Sequence, residues 1–272
     1  MFVSASYNYF NGDEHLLASL RALRGGVEHV SLVWQEVSNA GEPITATARA
    51  ALQAASAQGL VDQVIAYAPD LTRPRGANER AKRRLGLEAA RAAGASHFLS
   101  MDADEFYRVA ELAEARRQIA ANGWRSTSVD TFLHLRRPVW RAHDSTRCCF
   151  LTEISPDTQI GIADFPSPRV DPTRRMSADP EHHHHFDVSV VAMYHMNLVR
   201  RDLDQKLRNS TTTDTAFLDE VARVVAAWTP GEVLAFPRKG DIVPGPVRNE
   251  FETWDPEEGS GGGPRPKQGT FP

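Results

Sequence analysis

The sequence predicts an α/β fold: a mostly parallel sheet flanked by helices, followed by a less regular second half. Two observations carry this reading. Through the first hundred residues, short apolar β-rich runs alternate with helical patterns, strand first and strand last. The last of those runs, His97 to Met101, opens into Asp102, Ala103, Asp104 and Glu105, so acidic side chains stand beyond the carboxyl end of a buried strand, where such sheets gather ligands. A chain of 272 residues with 41% hydrophobic and 24% charged residues suits one large globular domain with a substantial core.

Each element has a local reason. Phe2 to Tyr9 is a first strand, and Asn11-Gly12-Asp13 turns the chain into a helix over Glu14 to Leu23, with Leu16, Leu17, Leu20 and Leu23 on one face. Gly25-Gly26 stops it. His29 to Gln35 is the second strand, Ile44 to Ala57 an alanine-rich helix ended near Gly59, and Val61 to Tyr67 the third strand. After a loop from Pro69 to Gly76, Asn78 or a neighbour caps a helix to about Ala93, and Gly94 ends it before the fourth strand. In the second half, Glu111 to Ala121 reads as a helix, Ser126 to Leu135 as a strand, and Thr146 to Ile154 as its partner. Ser155 to His185 lacks periodicity and reads as a long loop over the site. Phe186 to Tyr194 is a further strand leading into His195. Arg200 to Asn209 and Asp214 to Trp228 are helices, the latter with Phe217, Val221, Val224, Val225 and Trp228 as its stripe. The Gly, Pro and Ser content from Gly259 onward reads as a flexible tail.

Composition excludes several classes. No apolar stretch approaches the roughly 20 residues that span a bilayer, and the first residues lack a basic stretch followed by an apolar core, so a cytoplasmic protein is expected. Cys148 and Cys149 are adjacent, which suits buried small hydrophobes better than a disulfide or a zinc site. A formal charge of −4 argues against a surface that coats nucleic acid.

Asp102 and Asp104 are two apart, so in an extended chain they project to the same side, where two carboxylates can share one divalent cation. Alone, an Asp-x-Asp is an ordinary solvated loop. Placed after the fourth strand of a doubly wound half, Asp102-Ala103-Asp104-Glu105-Phe106 resembles the motif of GT-A glycosyltransferases of the family-2-like kind, and Asn78-Glu79-Arg80-Ala81-Lys82-Arg83 through Gly94 resembles the helix before it. The resemblance covers about residues 1–110, with weaker support around His195. It implies sugar transfer from a nucleotide-diphosphate donor, a UDP-sugar first, to a saccharide or modified-DNA acceptor, with Mn²⁺ or Mg²⁺ as cofactor. Residues 1–110 would bind the donor, 111–255 would complete the site and bind the acceptor, and 256–272 would be a tail. The chemistry is sound on its own terms, since a cation at the diphosphate stabilises the charge that the leaving group acquires.

The same resemblance suggests roles. Asp104 would contact the metal, Asp102 the metal, ribose or donor sugar, and His195 would complete the metal shell; Glu105 would orient the motif from behind. Lys82, Arg200 and Arg201 could neutralise the diphosphate, although each also suits a solvated charged face. Tyr7 and Asn8 stand where the nucleotide is received, and Gln35 and Glu36 could bond base or ribose; packing at the sheet edge and a solvated loop are the plainer alternatives. For a general base, Asp144 and Glu153 border the acceptor side and Asp164 lies in the long loop, none with a diagnostic spacing. The run His182 to His185 reads as an exposed loop in preference to a metal centre. Arg73, Arg75, Arg80, Lys82, Arg83 and Arg84 form a basic cluster that would suit DNA phosphates, a donor diphosphate or solvent. A noncatalytic nucleotide-sugar-binding protein is the remaining alternative. A nucleotidyltransferase is disfavoured, because Ser6 to Gly12 lacks a glycine-rich basic loop.

Overall fold

The computed structural model describes residues 1–257, so all but the start of the tail expected over 256–272 lies outside the described residues. The first half alternates as expected: β1 (Val3–Tyr9), α1 (Asp13–Arg24), β2 (His29–Trp34), α2 (Ala46–Ala57), β3 (Gln63–Ala66), α3 (Arg75–Ala92) and β4 (His97–Asp102). Then follow β5 (Glu105–Phe106), α4 (Val109–Asn122), β6 (Ser126–Leu135), β7 (Arg137–Glu153), β8 (His183–Phe186), β9 (Met193–Leu198), α5 (Leu203–Arg208), α6 (Thr215–Ala227), β10 (Leu234–Phe236), β11 (Gly240–Ile242) and β12 (Gly245–Pro246).

Ten strands form one sheet in the order β3, β2, β1, β4, β7, β6, β9, β5, with β12 beside β7 and β8 beside β6; β10 and β11 form a separate hairpin. The first four strands are mutually parallel, whereas β7 is antiparallel to both β4 and β6. The two halves of the chain therefore share one sheet. β1 lies between β2 and β4 and is buried along its whole length, which is why Val3 to Tyr9 reads as an unbroken apolar and small-residue run. In α1, Asp13 and Glu14 begin the helix and Arg21 and Arg24 end it, complementing the helix dipole, while Leu16, Leu20 and Leu23 enter the core. α3 packs directly on β1 at Gly86, where a Cβ would run into Ser6 Oγ. That close approach brings Glu79, Lys82 and Arg83 of α3 over the carboxyl ends of β1 and β4.

The second half departs from the expected boundaries. β7 runs 17 residues instead of starting at Thr146, because Arg137 to Ser145, with polar side chains alternating on a half-exposed face, pairs with β6. The expected strand from Phe186 to Tyr194 is broken by a turn in which Asp187 accepts from the backbone N–H groups of Ser189 and Val190. Of the histidine run, His182 lies in an exposed turn bonded to Asp179, and the other three are not in a loop. His183 to Phe186 form β8, parallel to β6: His183 bonds Ser126 Oγ at 2.8 Å, His185 bonds Ser128 Oγ at 3.0 Å, and His184 stacks on Trp124 at 3.5 Å between ring centres. Hydroxyls on the neighbouring strand supply what a histidine needs to sit in a sheet. The helix expected from Arg200 is shorter and begins at Leu203, because the Asp202 side chain caps it through Gln205 N at 2.8 Å. No helix among the described residues is long and apolar enough to cross a membrane.

Candidate functional site

A cavity of about 220 Å³ opens at the carboxyl ends of β1, β2 and β4. Its floor is the acidic motif, and each carboxylate is held by protein cations. Asp102, the last residue of β4, accepts from Arg83 Nη2 at 3.0 and 3.1 Å and lies 3.8 Å from Arg174 Nη1. Arg83 is buried and also bonds Glu79 at 2.9 Å and Ser100 Oγ at 2.6 Å. Burial pushes the Asp102 carboxyl up, and the charges of Arg83 and Arg174 outweigh it, leaving the group below its ordinary value.

Asp104 is 2% exposed and has a separate set of partners. Arg200 bonds its Oδ2, Lys206 Nζ lies 3.0 Å from the same oxygen, and His195 Nε2 lies at 3.6 Å. Burial raises this carboxyl, but Arg200, Lys206 and His195 together hold it well below the usual range. His195 reaches Asp104 from inside β9, in register with Glu105 of β5. Glu105 points away from the cavity and is paired with Arg174, which also donates to Ser100 O at 2.6 Å. Arg174 belongs to the irregular segment before β8, so this buried pair ties that segment to the acidic motif.

The upper wall differs in chemistry. Lys82 is buried and faces the cavity; Nζ donates to Tyr9 O at 3.2 Å, and among the described residues no carboxylate lies within ion-pair distance. Burial pushes its ammonium below the ordinary value. Beyond it lies an amide network: Asn8 Nδ2 donates to Glu79 at 2.8 Å, Asn39 Nδ2 to Glu79 at 3.4 Å, and Gln35 Nε2 to Asn39 at 3.3 Å. Among the described residues Gln35 Oε1 is buried with no partner, an open acceptor at the rim.

The structure thus brings together Asn8, Lys82, Asp102, Asp104, His195 and Arg200. Gln35 joins them at the rim, whereas Arg201 is turned outward and pairs with Asp13 at 3.1 Å, and the remaining candidates lie elsewhere. Tyr7 is fully buried beneath the site with its hydroxyl 2.9 Å from Ser19 Oγ. Glu36 is exposed and paired with Arg49. Asp144 is held by Lys239 Nζ at 2.6 and 2.8 Å and does not line the cavity. Glu153 pairs in register with His97, at the opposite end of β4 from Asp102, a span of ~17 Å at about 3.3 Å per residue, and is bonded to Arg125. The basic cluster is also divided: Lys82 and Arg83 turn inward, Arg75 donates to the carbonyls of Arg208 and Ser210, and Arg84 to that of Ile160. Lys206, Arg174, Asn39 and Asp171 are site residues that the sequence did not single out. The first sits on what reads as a solvated helix, and Arg174 and Asp171 lie in an aperiodic segment.

Asp104 and His195 offer a hard oxygen and an imidazole nitrogen 3.6 Å apart, a spacing that suits neighbouring ligands of one Mn²⁺ or Mg²⁺ ion at ~2.1 Å each. Among the described residues no three His, Cys, Asp or Glu side chains converge on one point. The same Asp104 oxygen takes Arg200 and Lys206, so an ion there would have to displace them or use the other oxygen, and two protein ligands would suffice only for an ion that phosphate oxygens also hold.

Fold and site together define an α/β protein in which the carboxyl ends of central strands hold a cation-lined cavity with an amide rim, suited to a polar anionic ligand. No family model matches the chain, and no curated protein matches it. Among solved structures it is similar to S. aureus TarS 1–349 in complex with UDP-GlcNAc, at 13% identity over 49% of this chain and 35% of that one, with a TM-score of 0.37. It is similar also to S. aureus TarS (13%, 49% and 22%, TM-score 0.36) and to mannose-1-phosphate geranyltransferase from Thermus thermophilus (14%, 56% and 50%, TM-score 0.31). The chain spans at most half the length of each.

Proposed function

We propose that this chain is a GT-A-like glycosyltransferase that moves a hexosyl or pentosyl group from a nucleotide-diphosphate donor, a UDP-sugar first, to an acceptor hydroxyl. The observation that carries the proposal is the convergence of Lys82, Arg200 and Lys206 on one cavity beside Asp102 and Asp104 at the carboxyl ends of β1 and β4. A diphosphate leaving group needs positive charge that is already in place when the sugar–phosphate bond breaks. Among the described residues no carboxylate lies within ion-pair distance of Lys82, so an incoming phosphate would be its close partner. Arg200 and Lys206, fixed by Asp104, would stand on the other side of that phosphate. The amide rim of Asn8, Asn39 and Gln35 presents neutral donors and an open acceptor, the complement of a nucleobase edge and ribose hydroxyls.

Asp104 and His195 would hold a divalent cation. When bound, such an ion would add charge neutralisation at the diphosphate. Incubating the protein with UDP-, GDP- and TDP-sugars and Mn²⁺, with and without EDTA, tests the reading. Turnover of a UDP-sugar that Asp104→Ala abolishes is expected. No binding and no turnover of any donor would sink it, and tight binding without turnover would favour the noncatalytic sugar-nucleotide binder.

A further inference from the structure

We propose that Asp171 is the general base of the transfer, so that the reaction is a single displacement with inversion at the anomeric carbon. The assignment rests on the glycosyltransferase reading and deepens it.

Four acidic side chains line the cavity: Glu79, Asp102, Asp104 and Asp171. Three are engaged by cations: Glu79 by Arg83, Asp102 by Arg83 and Arg174, and Asp104 by Arg200 and Lys206. A carboxylate so held is a poor proton acceptor, because protonating it strands its partner's charge. Among the described residues, Asp171 alone of the four has no basic group within ion-pair distance, and it lines the cavity while staying exposed to solvent, open to a second substrate.

Its position is nonetheless fixed. Asp171 Oδ1 accepts from Thr173 N at 2.7 Å and its carbonyl accepts from Arg174 N at 2.9 Å, an Asx turn that aims the carboxylate and, among the described residues, leaves the second oxygen without a partner. The turn is anchored on both sides. Val170 is buried and bridges to Arg147 of β7, and Arg174 runs under the floor to Glu105 and Ser100 O. A free carboxylate on a pinned turn is what a base needs: its geometry is set and its lone pair is available. The other acids considered for this role lack one or both properties, since Asp144 is held by Lys239, Glu153 stands at the far end of β4, and Asp164 does not line the cavity.

In the transfer, the acceptor O–H proton passes to an Asp171 oxygen while the acceptor oxygen forms its bond to the anomeric carbon. The bond from that carbon to the β-phosphate oxygen breaks, and its electron pair leaves on the nucleoside diphosphate, whose charge meets Lys82, Arg200 and Lys206. Attack from the side opposite the leaving group inverts the centre. Protonated Asp171 then returns its proton to water.

The experiment compares wild type, Asp171→Asn and Asp171→Glu with the donor that wild type turns over. UDP affinity is measured by titration, kcat by product release, anomeric configuration by NMR, and folding by thermal melts. Asp171→Asn, of the same shape but unable to take a proton, should lower kcat by ~10²–10⁴-fold, a general base's usual contribution, with UDP affinity and melting temperature within the spread of wild type. Asp171→Glu should recover part of the loss, and the product should be inverted. An active Asp171→Asn enzyme, a retained anomeric centre, or a loss of UDP affinity equal to the loss of kcat each overturns the assignment alone. A wild type that binds and turns over no nucleotide sugar overturns the glycosyltransferase reading together with it.

Discussion

Gly12 and Arg200 are in close contact at a turn whose backbone favours glycine. Gly12 has φ +88°, and a Cβ there would stand 2.8 Å from Arg200 Nη1. The turn that starts α1 is thereby shaped around the guanidinium that holds Asp104. Gly12→Ala should cost about 1–2 kcal/mol from the left-handed backbone alone and should also push Arg200 off Asp104. Urea unfolding and UDP titration check the two effects, and a variant of wild-type stability and affinity would show that the contact has no consequence.

Lys82→Met should separate function from stability. Lys82 is 3% exposed and lacks a close carboxylate, so its charge costs desolvation energy that methionine, of similar shape, does not incur. The variant should melt no lower than wild type and bind UDP ~10–100-fold more weakly, the range of a lost charged hydrogen bond of about 1.5–3 kcal/mol. A variant that melts lower and binds UDP normally would make Lys82 a structural residue.

Glu105→Ala should act in the opposite sense. Glu105 is fully buried, and its partner Arg174 is fixed under the floor of the cavity. Removing Glu105 leaves the buried Arg174 charge with Asp102 alone, 3.8 Å away, and should cost up to the ~3–5 kcal/mol of a broken buried pair. The segment carrying Asp171 should also lose its anchor, which faster amide exchange over residues 168–176 would report. Unchanged exchange there would show that Val170 alone holds the turn.

The legible parts of the sequence were those whose physics is local. β1 and β4 announce themselves because strands buried on both faces are continuous apolar runs, and the acidic motif is visible because charges at such a strand's end stand out against it. The start of β7 was hidden because Arg137, Arg141 and His143 lie on a face that is half in water, where strand and loop have the same composition. β8 was hidden because a histidine run is read as polar until Ser126 and Ser128 are known to lie beside it. Lys206 and Asp171 were invisible for a further reason: each owes its place to partners about a hundred or seventy residues away, Asp104 for the one and, through Arg174, Glu105 for the other. No spacing along the chain encodes such a meeting.

Acidification should unfold the protein through its neutral histidines before its carboxylates titrate. Burial pushes His134 down to about 4, with the charges of Arg141 and His195 adding to it against the Pro138 carbonyl, and pushes His15 down to about 3, where Arg200 adds to it against the Val199 carbonyl. Both rings are neutral when folded and ionise near 6.5 when unfolded. A depressed folded pKa means that the unfolded state binds protons first, so the stabilisation is complete above pH 6.5 and is lost as pH falls toward each folded value. For His134 the loss is on the order of 3 kcal/mol between pH 6.5 and 4. Asp102 and Asp104, held below their ordinary values, lose their contributions only below that window. Urea midpoints at pH 7.5, 5.5 and 4.5 should therefore fall steadily, and the slope should flatten in His134→Asn. A midpoint constant down to pH 4.5 would mean that neither ring is kept neutral by its burial.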